Sequence, residues 1–297
     1  MSSHINFSGC GTALLTPFKN GGAEVNYEAM ASLVDRQVEA GIHFLVPLGT
    51  TAETPCLSSV EKIKLLQITK EHSKGLPIVV GGGSNSLQGT IDNIRFLEPF
   101  EPDAFLIVVP YYNKPTQKGL FEYFKAVANS TSKDIILYNV PGRTGANIEA
   151  ETTIRLAEEC ENIVAVKEAS GNYAQINEII RNRPEDFSVL SGNDDEVLSL
   201  MATGANGVIS VASNVDPVRM VQLVEALAKD DMKAARELHY KLMPLFKNCF
   251  IESNPIPAKA ALAQMGLMEN SLRLPLFPAT EATEQIMKET LADLGLL

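Results

Sequence analysis

The chain has 297 residues, with 25 Lys and Arg against 36 Asp and Glu and a formal net charge of −11. That balance argues against nucleic acid, whose phosphates need Lys and Arg, and against an anionic membrane surface, although one or two local cations would still serve a small anionic substrate. With 45% hydrophobic and 21% charged residues, the composition is that of a globular protein, and the length suits two ordinary domains or one α/β barrel of about 250 residues.

Short β-branched, apolar runs recur along the chain, and helical segments separate them. TALLTPF (12–18) comes first, followed by the amphipathic stretch YEAMASLVDRQVEAG (27–41). FLVPLG (44–49) precedes VEKIKLLQITKEHSKG (60–75), and PIVVGGG (77–83) and AFLIVVP (104–110) come next. DIILYNVP (134–141) precedes AETTIRLAEEC (150–160), and IVAVKEAS (163–170), FSVLSG (187–192) and GVISVAS (207–213) complete the series. Continuous apolar character suits strands covered on both faces, as in a parallel sheet, and glycines close several of the helical stretches. Eight such units give either a doubly wound sheet or a closed barrel. The regular count and the lack of a dinucleotide fingerprint predict an α/β fold of the (β/α)8 TIM barrel type. GGGSN (81–85) has neither GxGxxG spacing nor a P-loop ending, and reads as a tight strand-end loop. After Asp231 the strands stop. Residues 232–251, 257–265 and 281–297 read as additional C-terminal helices, joined by the proline-marked NPIP (254–257) and RLPLFPAT (273–280). The expected organisation is a barrel over 1–231 carrying the active site, and a helical extension over 232–297.

The opening MSSHINFSG lacks the apolar core of a signal peptide, and no apolar run approaches the ~20 residues of a membrane span, so a cytoplasmic location is expected. Cys10, Cys56, Cys160 and Cys249 form no CxxC and read as reduced packing residues. His4, His43, His72 and His239 are equally scattered, with no metal-ligand spacing, so neither metal nor cofactor is expected.

A barrel of this type builds its active site at the C-terminal ends of its strands. The polar residues predicted there are Thr50 and Thr51 after the second run, Tyr111 and Tyr112 after the fourth, Tyr138 and Arg143 around the end of the fifth, Lys167 at the end of the sixth, and Gly192 after the seventh. Each alone has an ordinary explanation, since threonines cap turns, tyrosines plug rims and lysines surface at strand ends. Together they offer one lysine, several hydroxyls and one arginine, with no histidine or paired carboxylates. A lysine condenses with a ketone to form an imine, and it must be neutral to attack. Burial at the end of an apolar strand favours the neutral amine. Tyr138 fits a direct acid/base, with Thr50 and Tyr112 as a relay that adds no charge. Arg143 suits bidentate contact with a substrate carboxylate, and the amides around Thr50 and Thr51 suit a second one. Glu168 falls on the opposite side of the strand from Lys167, which removes it as the base.

GTTAE, PYYNKP, YNVPGRTG, VAVKEASG, LSGND and GVISVASN, in this order and spacing, closely resemble the dihydrodipicolinate synthase / N-acetylneuraminate lyase family of pyruvate-dependent class I aldolases. The resemblance runs from GTALLTPF to NPIPAKAAL. It implies that Lys167 forms an imine with pyruvate and that Tyr138, Thr50 and Tyr112 are the proton relay. It further implies that Thr51 and the backbone of Ile209 hold pyruvate with Gly192 nearby, and that Arg143 holds the carboxylate of L-aspartate 4-semialdehyde. In the family the second tyrosine of PYY enters a neighbouring subunit, which implies an oligomer, typically a homotetramer of paired dimers. The doubled threonine and the arginine look like the synthase branch, which serves diaminopimelate and lysine synthesis. A sister aldolase acting on a sugar-derived 2-oxo acid and a non-catalytic ligand-binding barrel are the alternatives. One departure is Ala52 where the family has glycine. If that position needs positive φ, alanine strains the loop by roughly 1 kcal/mol or more. Relatives sensitive to lysine carry histidines and a glutamate where Ser59, Lys62 and Gly89 stand here, while Asn85 and Tyr111 match. Feedback inhibition by lysine is therefore expected to be weak or absent.

Overall fold

The computed structural model describes residues 4, 5 and 7–297. Eight strands follow one another: β1 (Gly9–Ala13), β2 (Phe44–Val46), β3 (Val79–Gly81), β4 (Ala104–Val108), β5 (Asp134–Asn139), β6 (Ile163–Glu168), β7 (Ser188–Ser191) and β8 (Gly207–Ser210). They form one sheet in the order β2-β1-β8-β7-β6-β5-β4-β3, and their pairings are parallel. At the two ends of that order, the Leu45 amide of β2 donates to the Pro77 carbonyl just ahead of β3, at 2.9 Å. Helices separate the strands, and Met232–Asn248, Ile256–Gln264 and Glu281–Leu294 follow the last of the strand–helix units. This is the (β/α)8 barrel class with additional C-terminal helices. No helix among the described residues is long and apolar enough to cross a membrane.

Seven of the eight predicted runs contain their strand. The first does not, because β1 begins three residues ahead of TALLTPF and its sequence is GCGTA. A side chain at Gly11 would meet the Phe44 ring at 2.1 Å, so this strand is built from small residues to admit an aromatic neighbour. Part of the predicted run serves elsewhere, with Phe18–Lys19 pairing antiparallel to Glu24–Val25 in a small ribbon. The helices keep close to their predicted ranges, as in Tyr27–Glu39, Ser59–His72 and Ala150–Glu159. Ser58 starts the second of these with a capping box, its hydroxyl accepting from the Glu61 amide while the Glu61 carboxylate accepts from the Ser58 amide.

By contacts the chain divides into two compact units, Met1–Gly9 with Ile78–Ile209, and Cys10–Pro77 with Ser210–Leu297. In the first, every residue of β5 and β6 is buried, as expected of strands covered on both faces. Gly9 is held by the far end of the same unit. The Gly9 amide donates to the Asn206 carbonyl at 2.9 Å, and a Cβ on Gly207 would lie 1.9 Å from the Gly9 carbonyl oxygen. In the second unit, Gln37 ties β1 to the segment after β8: its amide donates to Ser213 O at 2.9 Å and its carbonyl accepts from Thr12 Oγ1 at 2.7 Å.

Candidate active site

Register decides what meets at the ends of β5 and β6. Tyr138 is aligned with Lys167, and Asn139 with Glu168. Side chains alternate along a strand, so each aligned pair shares a face. On one face the Lys167 Nζ lies 4.2 Å from the centre of the Tyr138 ring. Both side chains are nearly buried, Lys167 at 6% and Tyr138 at 8% exposure. Among the described residues no ion pair holds the Lys167 amine. On the other face Glu168 is enclosed, accepting from Asn139 Nδ2 at 2.8 Å, Gln175 Nε2 at 3.0 Å and Ser170 Oγ at 2.6 Å. Burial raises its pKa and those three side-chain bonds oppose the rise. The separation of Lys167 from Glu168 expected from strand alternation is therefore present. Glu168 braces the helix-facing side of β6 and takes no part on the lysine side.

Gly192 is beside the lysine for a steric reason. Its amide donates to the Glu168 carbonyl at 2.6 Å, and a Cβ there would lie 3.1 Å from Lys167 Cε and 2.6 Å from the Ala169 Cβ. Only glycine lets the turn after β7 pass this close to the lysine arm. Ile209 is fully buried in β8. Arg143 is exposed on the short helix Pro141–Thr144 that follows β5, and among the described residues no ion pair holds it. Tyr112 has a left-handed backbone at φ 74°, and its side chain is 88% exposed. A non-glycine residue in that region is uncommon and strained.

Thr50 and Thr51 belong to the second unit, in the tight turn Thr50–Ala52 after β2. Thr50 is exposed, whereas Thr51 is buried and its Oγ1 accepts from Asn254 Nδ2 at 2.9 Å. Ala52 does not carry the strain considered for it. Its carbonyl accepts from Thr16 Oγ1 at 2.8 Å, and the left-handed residue of this turn is its neighbour Glu53, at φ 53°. Glu53 is buried against the fully buried Lys259, with 2.5 Å between Oε1 and Nζ.

The model of the Dihydrodipicolinate synthetase family matches residues 6–294. The chain belongs to this family. It is 46% identical over 293 residues to the 4-hydroxy-tetrahydrodipicolinate synthase of Thermosipho melanesiensis, covering 98% of this chain and all of the relative. The crystal structure of the dihydrodipicolinate synthase of Thermotoga maritima superposes with a TM-score of 0.96 at 44% identity, covering 99% of this chain and 100% of that one. The enzyme of Cyanidioschyzon merolae, solved with lysine bound, gives a TM-score of 0.95 at 40% identity over 99% and 100% of the two chains.

Within this family frame, the first unit brings Lys167, Tyr138 and Gly192 together as the sequence led one to expect. Reading the sequence alone passed over Asn254, Glu53 and Lys259. The prolines of NPIP mark a connector, yet its asparagine reaches back over 203 residues to Thr51. The signal available was the glutamate that closes GTTAE and the lone lysine in the otherwise apolar segment IPAKAAL. A buried charge in an apolar segment calls for a partner.

Proposed function

We propose that this chain is a 4-hydroxy-tetrahydrodipicolinate synthase, condensing pyruvate with L-aspartate 4-semialdehyde through an imine on Lys167. The observation that carries the reading is the Lys167 amine, buried at the end of β6, paired with no carboxylate among the described residues, and 4.2 Å from the centre of the Tyr138 ring. A neutral amine attacks the pyruvate ketone carbon, and loss of water leaves the imine. Loss of a proton from the methyl group gives the enamine, whose carbon attacks the aldehyde. The amino group of the second substrate then closes on the imine carbon and displaces Lys167. Tyr138 serves as the acid/base that moves protons at the nitrogen and the carbinolamine oxygen, with Thr50 and Tyr112 completing the relay. Thr51 and the Ile209 backbone hold the pyruvate carboxylate beside Gly192, and Arg143 holds the aldehyde substrate.

The exposed, left-handed Tyr112 supports an assembly in which that ring is covered by another copy, and we assign a homotetramer of paired dimers working in the cytoplasm. Residues 232–297 are assigned as a helical extension of the barrel 1–231. Two measurements test the function. Borohydride reduction with pyruvate, read by mass spectrometry, is expected to leave one adduct on Lys167, and no adduct would overturn the imine. A coupled assay is expected to turn over aspartate semialdehyde and not N-acetylneuraminate, the reverse outcome assigning the sugar-acid branch.

Lysine inhibition is expected to be weak or absent. Gly89, in the first turn of the helix Leu87–Leu97, offers no carboxylate, and a Cβ there would meet the Ser86 and Ser84 hydroxyls at 2.8 and 2.9 Å. Lys62 adds a like charge to a ligand ammonium. Strong inhibition by submillimolar lysine in the coupled assay would refute this.

A further inference from the structure

We propose that the segment 254–259 positions the Thr51 hydroxyl for the pyruvate carboxylate. Asn254 does so by holding Thr51 Oγ1, and Lys259 by neutralising Glu53 where the threonine turn ends. The proposal rests on the reading of Thr51 as a pyruvate contact.

The turn is held at three points by side chains. Asn254 Nδ2 donates to Thr51 Oγ1 at 2.9 Å, Thr16 Oγ1 donates to Ala52 O at 2.8 Å, and Glu53 Oε1 lies 2.5 Å from Lys259 Nζ. A hydroxyl oxygen that accepts an amide proton keeps its own proton for another acceptor. Asn254 therefore turns Thr51 into a donor, which is the role a carboxylate ligand requires. Asn254 is buried, and a buried amide proton is met by a protein partner, here Thr51.

Glu53 does comparable work on the backbone. It holds the left-handed conformation, which few non-glycine residues adopt without outside support. Its Oε2 accepts from the Arg273 amide at 3.0 Å while Oε1 meets Lys259. Lys259 is itself occupied on several sides, donating to Ser271 O at 3.0 Å and lying 4.1 Å from the centre of the Phe18 ring. An ammonium so enclosed has no path to a substrate. Its position five residues after Asn254 lets one short segment grip both the first and the last residue of Thr51–Glu53. The structure thus assigns Asn254 and Lys259 as positioning residues that act through Thr51.

A double-mutant cycle on pyruvate KM tests this. Asn254→Ala is expected to raise KM for pyruvate about tenfold or more, with kcat within a few-fold, because an interaction made equally in ground and transition states affects KM alone. In a Thr51→Val background the same substitution is expected to change KM less than twofold, since Asn254 then has nothing to orient. A role confined to packing would give the same factor in both backgrounds, and that result overturns the proposal. The second arm is Glu53→Gln with Lys259→Met, which removes both buried charges together. It is expected to raise pyruvate KM by a similar factor, and a wild-type KM in the folded double variant overturns the part assigned to Lys259. Should that double variant not fold, Lys259→Arg carries this arm: it keeps the charge, a bulkier head displaces Glu53, and an unchanged KM again overturns the assignment. Wild-type protein that gives no borohydride adduct with pyruvate is a different failure, because it removes the functional reading beneath the proposal.

Discussion

The two units each bury a lysine, and the two are built to opposite ends. Lys167 ends a strand with an aromatic ring beside it and no carboxylate among the described residues. Lys259 is 0% exposed and pressed against Glu53. Burial pulls its pKa down to about 8, and Glu53 pulls it back up. Glu53 recovers part of the desolvation cost of Lys259, whereas among the described residues no ion pair holds Lys167. A paired ammonium is locked in place as a fixed charge. An amine that no carboxylate holds is free to meet a substrate carbonyl. The presence or absence of one carboxylate therefore separates a lysine held in a buried ion pair from the lysine proposed to form the imine.

Substitutions can break this comparison, beginning with the largest effect. Lys167→Ala is expected to lower kcat by ~10³-fold or more and to abolish the pyruvate adduct. Borohydride trapping that moves to Lys259 in this variant would erase the distinction between the two lysines. Next, Tyr138→Phe keeps the ring packed on Lys167 but removes the transferable proton, and roughly 10²–10⁴-fold should be lost with little change in melting temperature. A variant within a few-fold of wild type in the coupled assay would assign the proton transfer to another group.

Lys259→Met is expected to act on stability first. Leaving Glu53 buried without its partner should cost about 3–5 kcal/mol in denaturant unfolding, whereas Lys167→Ala should cost far less. Equal costs for the two would contradict the contrast. The smallest effect concerns Glu61, at the outer end of the same charge network. Two hydrogen bonds from Arg273, at 2.6 and 2.9 Å, hold its carboxyl at about 2, with partial burial opposing them and Ser58 assisting. A carboxyl depressed from 4.5 contributes stability that is complete above pH 4.5 and is lost as pH falls toward about 2. Glu61→Gln should therefore cost on the order of 2 kcal/mol at pH 7, and the two proteins should converge in melting temperature near pH 2. Parallel pH profiles for the variant and wild type would show that the pair carries no such linkage.

How much of this was legible in the sequence depends on the range over which each feature is decided. Alternation within VAVKEASG placed Lys167 and Glu168 on opposite sides, because that rule is local to one strand. The eight runs implied parallel strands in the same way. β1 lies ahead of the apolar run because GCGTA shows no apolar pattern; its Gly11 leaves room for the Phe44 ring, thirty-three positions away. The left-handed conformation considered for Ala52 belongs to Glu53, whose carboxylate meets a buried lysine two hundred positions later, and no local propensity argument registers that partner. Asn254 escaped notice for the same reason. Its proline neighbours describe the backbone locally and say nothing of the threonine it meets.

The clasp between Gly9 and Asn206 has a consequence for how the protein is made. Gly9 leaves the ribosome almost two hundred residues before the carbonyl that accepts its amide proton. Until then, the strand that opens the chain has no eighth strand to complete it, and contacts of such long sequence separation form slowly. A nascent chain that stops short of Asn206 therefore holds an unfinished sheet edge, the kind of surface that recruits chaperones or sticks to its neighbours. This strand contact therefore waits on the length translated, and Gly207, with no room for even a methyl group against Gly9, is where it closes.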